Sequence, residues 1–333
     1  MRAVHVSGPD EGFEHGSTER PTPGPTEVLV SVSACGVCRG DTAVTEGRPP
    51  VEYPRVPGHE IAGRVAGVGA NVDRVGVGDR VAVGWHGGHC GTCRQCRDGD
   101  FVTCEHERIT GIHHDGGYAE AVVVPVESVA PVPDSLDLTA AGPLACAGLT
   151  AYTGLTSTDA TAGDTVAVQG IGGVGHLAVQ FADAMGFETV ALSRTAQKET
   201  AALDLGADRF VDTSETDPAD ALTAYGGADL VLGTAPASAA FEDVLGGLAP
   251  NGDLVAVGAP TDAVSLPVAR MLGTRWSVHG WAAGHAGDVE DALAAAARND
   301  VDPWVETYPL DATDEAFEAM QSGEVRFRAV LVP

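Results

Sequence analysis

The chain has 333 residues, with 47 acidic against 19 basic side chains and a formal net charge of −28. That length suits two domains of the usual ~100–200 residues. No apolar run reaches the roughly 18 residues that span a bilayer, the segment MRAVHVSGPDEGFEHG lacks the apolar centre of a signal peptide, and the acidity opposes nucleic-acid binding. The expectation is a cytoplasmic protein that meets neither membrane nor nucleic acid. Lys198 is the only lysine, and the acidic excess reads as adaptation to a salt-rich, halophilic interior in which counterions screen self-repulsion; GC-biased codons are the alternative.

Residues 1–130 predict irregular β structure. Val28, Val30 and Val32 alternate after the turn-rich PTPGPT, and glycines punctuate GHEIAGRVAGVGANVDRVGVGDRVAV. Short strands broken by glycine point to a small barrel with long loops. Within this region Cys90, Cys93, Cys96 and Cys104 form C-x₂-C-x₂-C-x₇-C. Four thiolates so close in sequence can surround one ion, and an all-sulfur closed shell is what structural zinc takes. An iron–sulfur cluster is the competing reading. The odd total of seven cysteines and the tightness of the cluster oppose a disulfide framework.

Near residue 147 the pattern changes. TVAVQG, HLAVQFADAMG, ETVALS, AQKETAALDLGA and RFVD alternate β-type and helical runs. ADLVLGT and GDLVAVGAP add strands, with AAFEDVLGGLA helical between them. This alternation predicts an α/β protein with a doubly wound parallel sheet. A helix at DVEDALAAAAR and a final strand at RFRAVLVP follow.

Gly170-Ile171-Gly172-Gly173-Val174-Gly175 fits G-x-G-x-x-G between the predicted strand Thr165–Gln169 and a predicted helix, the context that gives the motif meaning. Its glycines allow a tight turn and let backbone approach a pyrophosphate at the helix N-terminus. The next strand ends at Ser193 and Arg194, with Lys198 nearby, where an NAD site normally has an acidic residue. These groups favour the 2′-phosphate of NADP(H). The alternative is that Arg194 stacks on adenine and NAD(H) binds as well.

Cys38, His59, Glu60 and Cys146 offer thiolate, imidazole, carboxylate and thiolate from separated stretches, C-G-V-C-R-G-D, P-G-H-E and L-A-C-A-G-L-T. Ligands gathered by folding, with a position left open, characterise catalytic zinc. Two zinc ions per chain are therefore expected, one catalytic and one structural.

Taken together, these motifs resemble those of the zinc-dependent medium-chain alcohol dehydrogenases over nearly the whole chain, closest to the microbial branch with GHE, CAG-[LV]-T and GIGGVGHLAVQFA. The resemblance implies a GroES-like β-rich catalytic domain (residues 1–146 and 281–333) split around a Rossmann domain (147–280). It implies that Cys38, His59 and Cys146 hold the catalytic zinc, with Glu60 an alternating fourth ligand or close neighbour. Asp41 would orient His59, Arg39 would lie against the cofactor pyrophosphate, and Trp85 and His86 would stand at the inner wall of the substrate pocket. An alcohol or aldehyde would be the substrate and a homodimer or homotetramer the assembly. A sugar or polyol dehydrogenase, and a catalytically weak binding protein on the same scaffold, are the rival readings.

One departure stands out. The family pattern has a proton-relaying hydroxyl where this chain has Gly40, and a relay histidine found in some members is replaced by Ala43. A water in the vacated space or the His86 imidazole is the expected substitute, with a pH dependence near the imidazole's ~6.5. Restoring a hydroxyl at position 40 is expected to raise turnover.

The charge gives a direct test. Melting temperature is expected to rise between about 0.1 M and 1 M KCl, as the Debye length falls from about 10 to about 3 Å. A flat or falling curve contradicts the salt-adaptation reading.

Overall fold

The alternation of Val28, Val30 and Val32 builds the strand Glu27–Gly36, whose inward valines are buried. The computed structural model describes residues 1–48 and 51–333. Glu27–Gly36 pairs antiparallel with Glu60–Val68, Ala121–Pro125 and Arg328–Val332. The sheet continues outward through Arg80–Val83 to Val129–Pro131 on one side and to Val305–Pro309 on the other. Val28, Val30, Ile61, Val81, Val83 and Val124 form its core with no exposed surface. The ladder returns on itself, since Ala121–Pro125 pairs with Glu27–Gly36 and, one 3₁₀ turn later, Val129–Pro131 pairs with Arg80–Val83, in keeping with the expected small barrel. Both outermost strands end in proline, which cannot donate to a further ladder.

The chain divides into two compact units, residues 1–149 with 284–333, and residues 150–283. The second unit carries a six-stranded sheet in the order Arg209–Asp212, Glu188–Ser193, Thr165–Gln169, Ala228–Gly233, Leu248–Ala256, Ser277–Gly280. All its pairings are parallel. Every residue of Thr165–Gln169 is buried, which is why its centre, Val166–Val168, reads as an unbroken apolar run and not as an alternation. The helices Gly175–Ala184, Glu199–Asp204 and Ser238–Leu245 lie where the alternating runs place them. Pro218–Ala224, Val268–Thr274 and Ser277–Gly280 are additions that the sequence reading left out. The first of these carried a signal, since Asp217 caps it and Pro218 opens it. Among the described residues no helix is long and apolar enough to cross a membrane.

Candidate metal centres and dinucleotide turn

Cys38 follows the central strand of the first unit and caps a short 3₁₀ turn, Arg39–Asp41. Its Sγ accepts from the Gly40 N–H at 3.4 Å, and its own N–H donates to Asp41 Oδ2 at 3.0 Å. His59 and Glu60 stand at the start of the paired strand Glu60–Val68. Cys146 lies in Leu144–Gly148, a π-helical turn that is buried throughout, a widened geometry frequent at functional sites. The fold thus gathers one ligand atom each from Cys38, His59, Glu60 and Cys146 within 4.8 Å of one another.

Asp41 organises this cluster. Only 2% exposed, its carboxylate lies 2.9 Å from His59 Nδ1 and accepts the Tyr118 hydroxyl at 2.9 Å besides the Cys38 amide. Such charge-assisted bonds are worth about 1.5–3 kcal/mol each. They fix the imidazole and leave His59 Nε2 buried with no protein partner. Burial opposes a proton on His59, but Asp41 and then Cys38 push its pKa well up. The Cys146 thiol holds Cys38 low, as the thiolate of the pair, and Cys38 in turn pushes Cys146 up. The cluster therefore stores protons that a cation would displace, and two sulfurs, an imidazole and a carboxylate are a donor set that zinc accepts.

Glu60 is tied from behind. Arg328 Nη2 lies 2.5 Å from both its carboxylate oxygens and donates to the Val37 carbonyl at 3.1 Å. Burial pushes the Glu60 carboxyl up to about 8, against the pull of Arg328. Sequence reasoning missed both Arg328 and Tyr118. The available signal for Arg328 was a lone cation in the apolar strand RAVLV.

Position 40 corrects an expectation. A Cβ on Gly40 would sit 2.7 Å from Trp85 Cζ3 and 2.9 Å from His59 Cε1. No space has been vacated there for a water, because the indole fills it. A side chain at 40 is therefore expected to lower turnover, not raise it. His86 also departs from expectation. It is 2% exposed, its Nε2 is 3.3 Å from His89 Nδ1, and burial, then His89 and His285, lower its pKa to about 4. It stays neutral near pH 6.5 and gives no titration there. Cys35 is buried in the hydrophobic core of the first unit.

The second cluster is Cys90, Cys93, Cys96 and Cys104, again within 4.8 Å. Backbone amides aim at its sulfurs, with Cys93 N–H 3.3 Å from Cys90 Sγ, Cys96 N–H 3.5 Å from Cys93 Sγ and His106 N–H 3.3 Å from Cys104 Sγ. The Thr92 hydroxyl and neighbouring amides lower Cys90 to about 5, whereas burial and the adjoining sulfurs raise Cys96 to about 12. Four thiolates cannot coexist so closely without a cation.

In the second unit each turn glycine has its own reason. Gly170 has φ +94°, outside the range of most side chains. A Cβ on Gly175 would lie 1.8 Å from the Gly170 carbonyl oxygen, so the helix packs there only without one. A Cβ on Gly172 would meet nothing within 4 Å, so this point of the turn faces open space, while its carbonyl accepts the His176 amide at 3.0 Å. Gly173 and Val174 form the turn into the helix Gly175–Ala184. Ser193 is buried at its strand end, Arg194 is exposed, and Lys198 Nζ donates to the Ile171 carbonyl of the turn at 2.6 Å. Arg39 is exposed on the first unit, beside Cys38.

Residues 24–134 match the family described as alcohol dehydrogenase GroES-like domain, and residues 173–298 that described as zinc-binding dehydrogenase. A protein named alcohol dehydrogenase notN, from Aspergillus sp. (strain MF297-2), is 43% identical over 309 residues, covering 93% of this chain and 91% of its own. A cobalt- and zinc-bound thermostable alcohol dehydrogenase from Pyrobaculum aerophilum superposes with a TM-score of 0.89 at 32% identity, covering 100% of this chain and 99% of that one. The Helicobacter pylori protein called CAD, complexed with NADP(H), gives 0.89 at 28% identity, covering 99% and 97%.

The Glu60–Arg328 pair is testable by unfolding. Arg328→Met leaves the buried Glu60 carboxyl without its guanidinium partner and is expected to cost about 1–3 kcal/mol in urea denaturation. A loss below about 0.5 kcal/mol would show that the pair is not what holds this strand end.

Proposed function

The chain belongs to the zinc-type medium-chain alcohol dehydrogenase family, and from that footing we propose that it is a zinc-dependent oxidoreductase interconverting alcohols and aldehydes with NADP(H) as the preferred cofactor. The observation that carries the reading is the buried cluster of Cys38, His59, Glu60 and Cys146, with His59 Nε2 left without a protein partner. The first unit is read as the metal- and substrate-binding part and the second as the dinucleotide-binding part.

In this reading Cys38, His59 and Cys146 hold the catalytic zinc, and Glu60, restrained by Arg328, is a fourth donor that can yield its place. Zinc held there supplies Lewis-acid stabilisation of negative charge on the substrate oxygen. Asp41 keeps the His59 ring turned so that Nε2 faces the other donors. Cys90, Cys93, Cys96 and Cys104 hold the structural zinc, which contributes to folding and not to turnover. Gly170, Gly172, Gly173, Val174 and Gly175 cradle the pyrophosphate. Ser193, Arg194 and Lys198 receive the 2′-phosphate, and Lys198 is poised for it by its bond to the turn. Neither Gly40 nor Ala43 can carry a proton, and the Thr42 hydroxyl between them donates to the Arg39 carbonyl at 2.8 Å. The substrate proton therefore leaves by a route that these residues do not provide.

A panel of primary, secondary and polyhydroxy alcohols with both cofactors tests this, alongside metal analysis. Two zinc ions per chain are expected, falling to one with loss of turnover in Cys146→Ser. Efficiency with NADPH is expected to exceed that with NADH, the gap narrowing in Arg194→Ala. Equal efficiency in the unaltered protein contradicts the cofactor assignment. Turnover confined to polyols moves the substrate to the sugar class, and absence of turnover on every substrate contradicts the enzymatic reading.

A further inference from the structure

The two carboxylate oxygens of Asp41 carry different loads. Oδ1 lies 2.9 Å from His59 Nδ1. Oδ2 accepts the Cys38 amide at 3.0 Å and the Tyr118 hydroxyl at 2.9 Å. The Cys38 bond is local to the 3₁₀ turn Arg39–Asp41 and moves with it. Tyr118 lies 77 residues further along the chain, so its hydroxyl ties the carboxylate to the core from outside that turn. Burial, and then Asp41, push the Tyr118 hydroxyl well above its ordinary pKa, and it stays a proton-bearing donor.

Tyr118 is itself fixed. It has no exposed surface and belongs to the core cluster that contains Val4, Val56 and Ile61. Its N–H donates to the Pro57 carbonyl at 3.0 Å, its carbonyl accepts the Val4 amide at 2.8 Å, and the Gly117 N–H donates to the Gly58 carbonyl at 2.9 Å. The ring lies tight over Gly58, where a Cβ would come 2.4 Å from Tyr118 Cδ1. The residue therefore grips the chain just before His59 with its backbone and ring, and the side chain that orients His59 with its hydroxyl. A phenylalanine would fill the same volume with no polar atom to satisfy, and a buried hydroxyl is costly unless it is bonded. Packing accounts for the ring; only the bond to Asp41 accounts for the oxygen.

We propose that the Tyr118 hydroxyl positions the metal centre at one remove: by occupying Oδ2 it locks the Asp41 carboxylate, so that Oδ1 holds the His59 ring at a single angle. Tyr118 acts through Asp41 and is a positioning residue, not a ligand. Without the hydroxyl, the carboxylate is free to turn about its Cβ–Cγ bond, and the imidazole that leans on it loses its fixed direction. This inference rests on the reading of His59 as a metal ligand.

The test is a double-mutant cycle in the full-length protein with Tyr118→Phe, Asp41→Ala and the double variant. Tyr118→Phe keeps the ring and removes only the hydroxyl. Affinity for cobalt(II) is followed by its visible absorption against a competing chelator, with Cys146→Ser as the blank. Tyr118→Phe is expected to weaken cobalt binding about tenfold, the lower end of what losing an orienting partner costs. It is also expected to shift the visible bands, which report ligand geometry, in the direction that Asp41→Ala shifts them. In the Asp41→Ala background the same substitution is expected to change affinity less than about twofold, since the link to His59 is already broken. Unchanged affinity in Tyr118→Phe overturns the proposal. So does an equal loss in both backgrounds, which assigns the effect to core packing. If Tyr118→Phe does not fold, the hydroxyl serves the fold and the positioning role fails. Should Asp41→Ala not fold or not bind cobalt, the bands decide: a shift in Tyr118→Phe supports the proposal and unshifted bands overturn it. Cobalt absorption that is identical in Cys146→Ser contradicts the metal reading itself, whatever the cycle shows.

Discussion

A compact set of buried donors that repel one another unless a cation joins them is the constraint around which the first unit is arranged. Two sulfurs, an imidazole and a carboxylate converge within 4.8 Å, at a depth where uncompensated charge costs several kcal/mol per ion. Around them the protein has placed restraints and a single guanidinium as counter-charge. Asp41 is itself anionic and collects three donors, so it fixes His59 while adding to the negative charge. Among the described residues Arg328 is the guanidinium placed against the cluster, and it is paired with Glu60. Protons held on His59 and Cys146 relieve the repulsion, and a dication would take their place.

The cysteine quartet meets the same constraint differently. Its sulfurs receive backbone amides from a chain that turns tightly around them, so local geometry organises the ligands and no long-range contact is needed. That difference decided what could be read from sequence. Spacing alone exposed the quartet, because its ligands lie within fifteen residues and the turn that joins them is their own. The other cluster needed the motifs around each ligand, since the pairing of Glu27–Gly36 with Glu60–Val68 and the π-helical turn at Leu144–Gly148 bring them together.

The parallel sheet and the glycine turn were equally legible, because buried strands and the alternation with helices leave a compositional trace. What was not legible depended on packing between distant residues. Gly40 read as a missing hydroxyl with vacated space, whereas Trp85 Cζ3 stands 2.7 Å from where its Cβ would lie. His86 read as an imidazole near its reference pKa, whereas burial and two neighbouring histidines hold it neutral. Arg328 sits in a short C-terminal strand 268 residues from Glu60, and no local pattern announces a partner that far away.

Zinc K-edge X-ray absorption on the protein as purified tests the central claim most directly. Two coordination environments are predicted together, one of sulfur alone and one in which sulfur is mixed with imidazole nitrogen and oxygen. The Cys146→Ser protein should retain only the all-sulfur signature. A spectrum of the unaltered protein fitted by sulfur alone, or one with no zinc at the edge, would contradict the assignment of Cys38, His59, Glu60 and Cys146 as a metal centre.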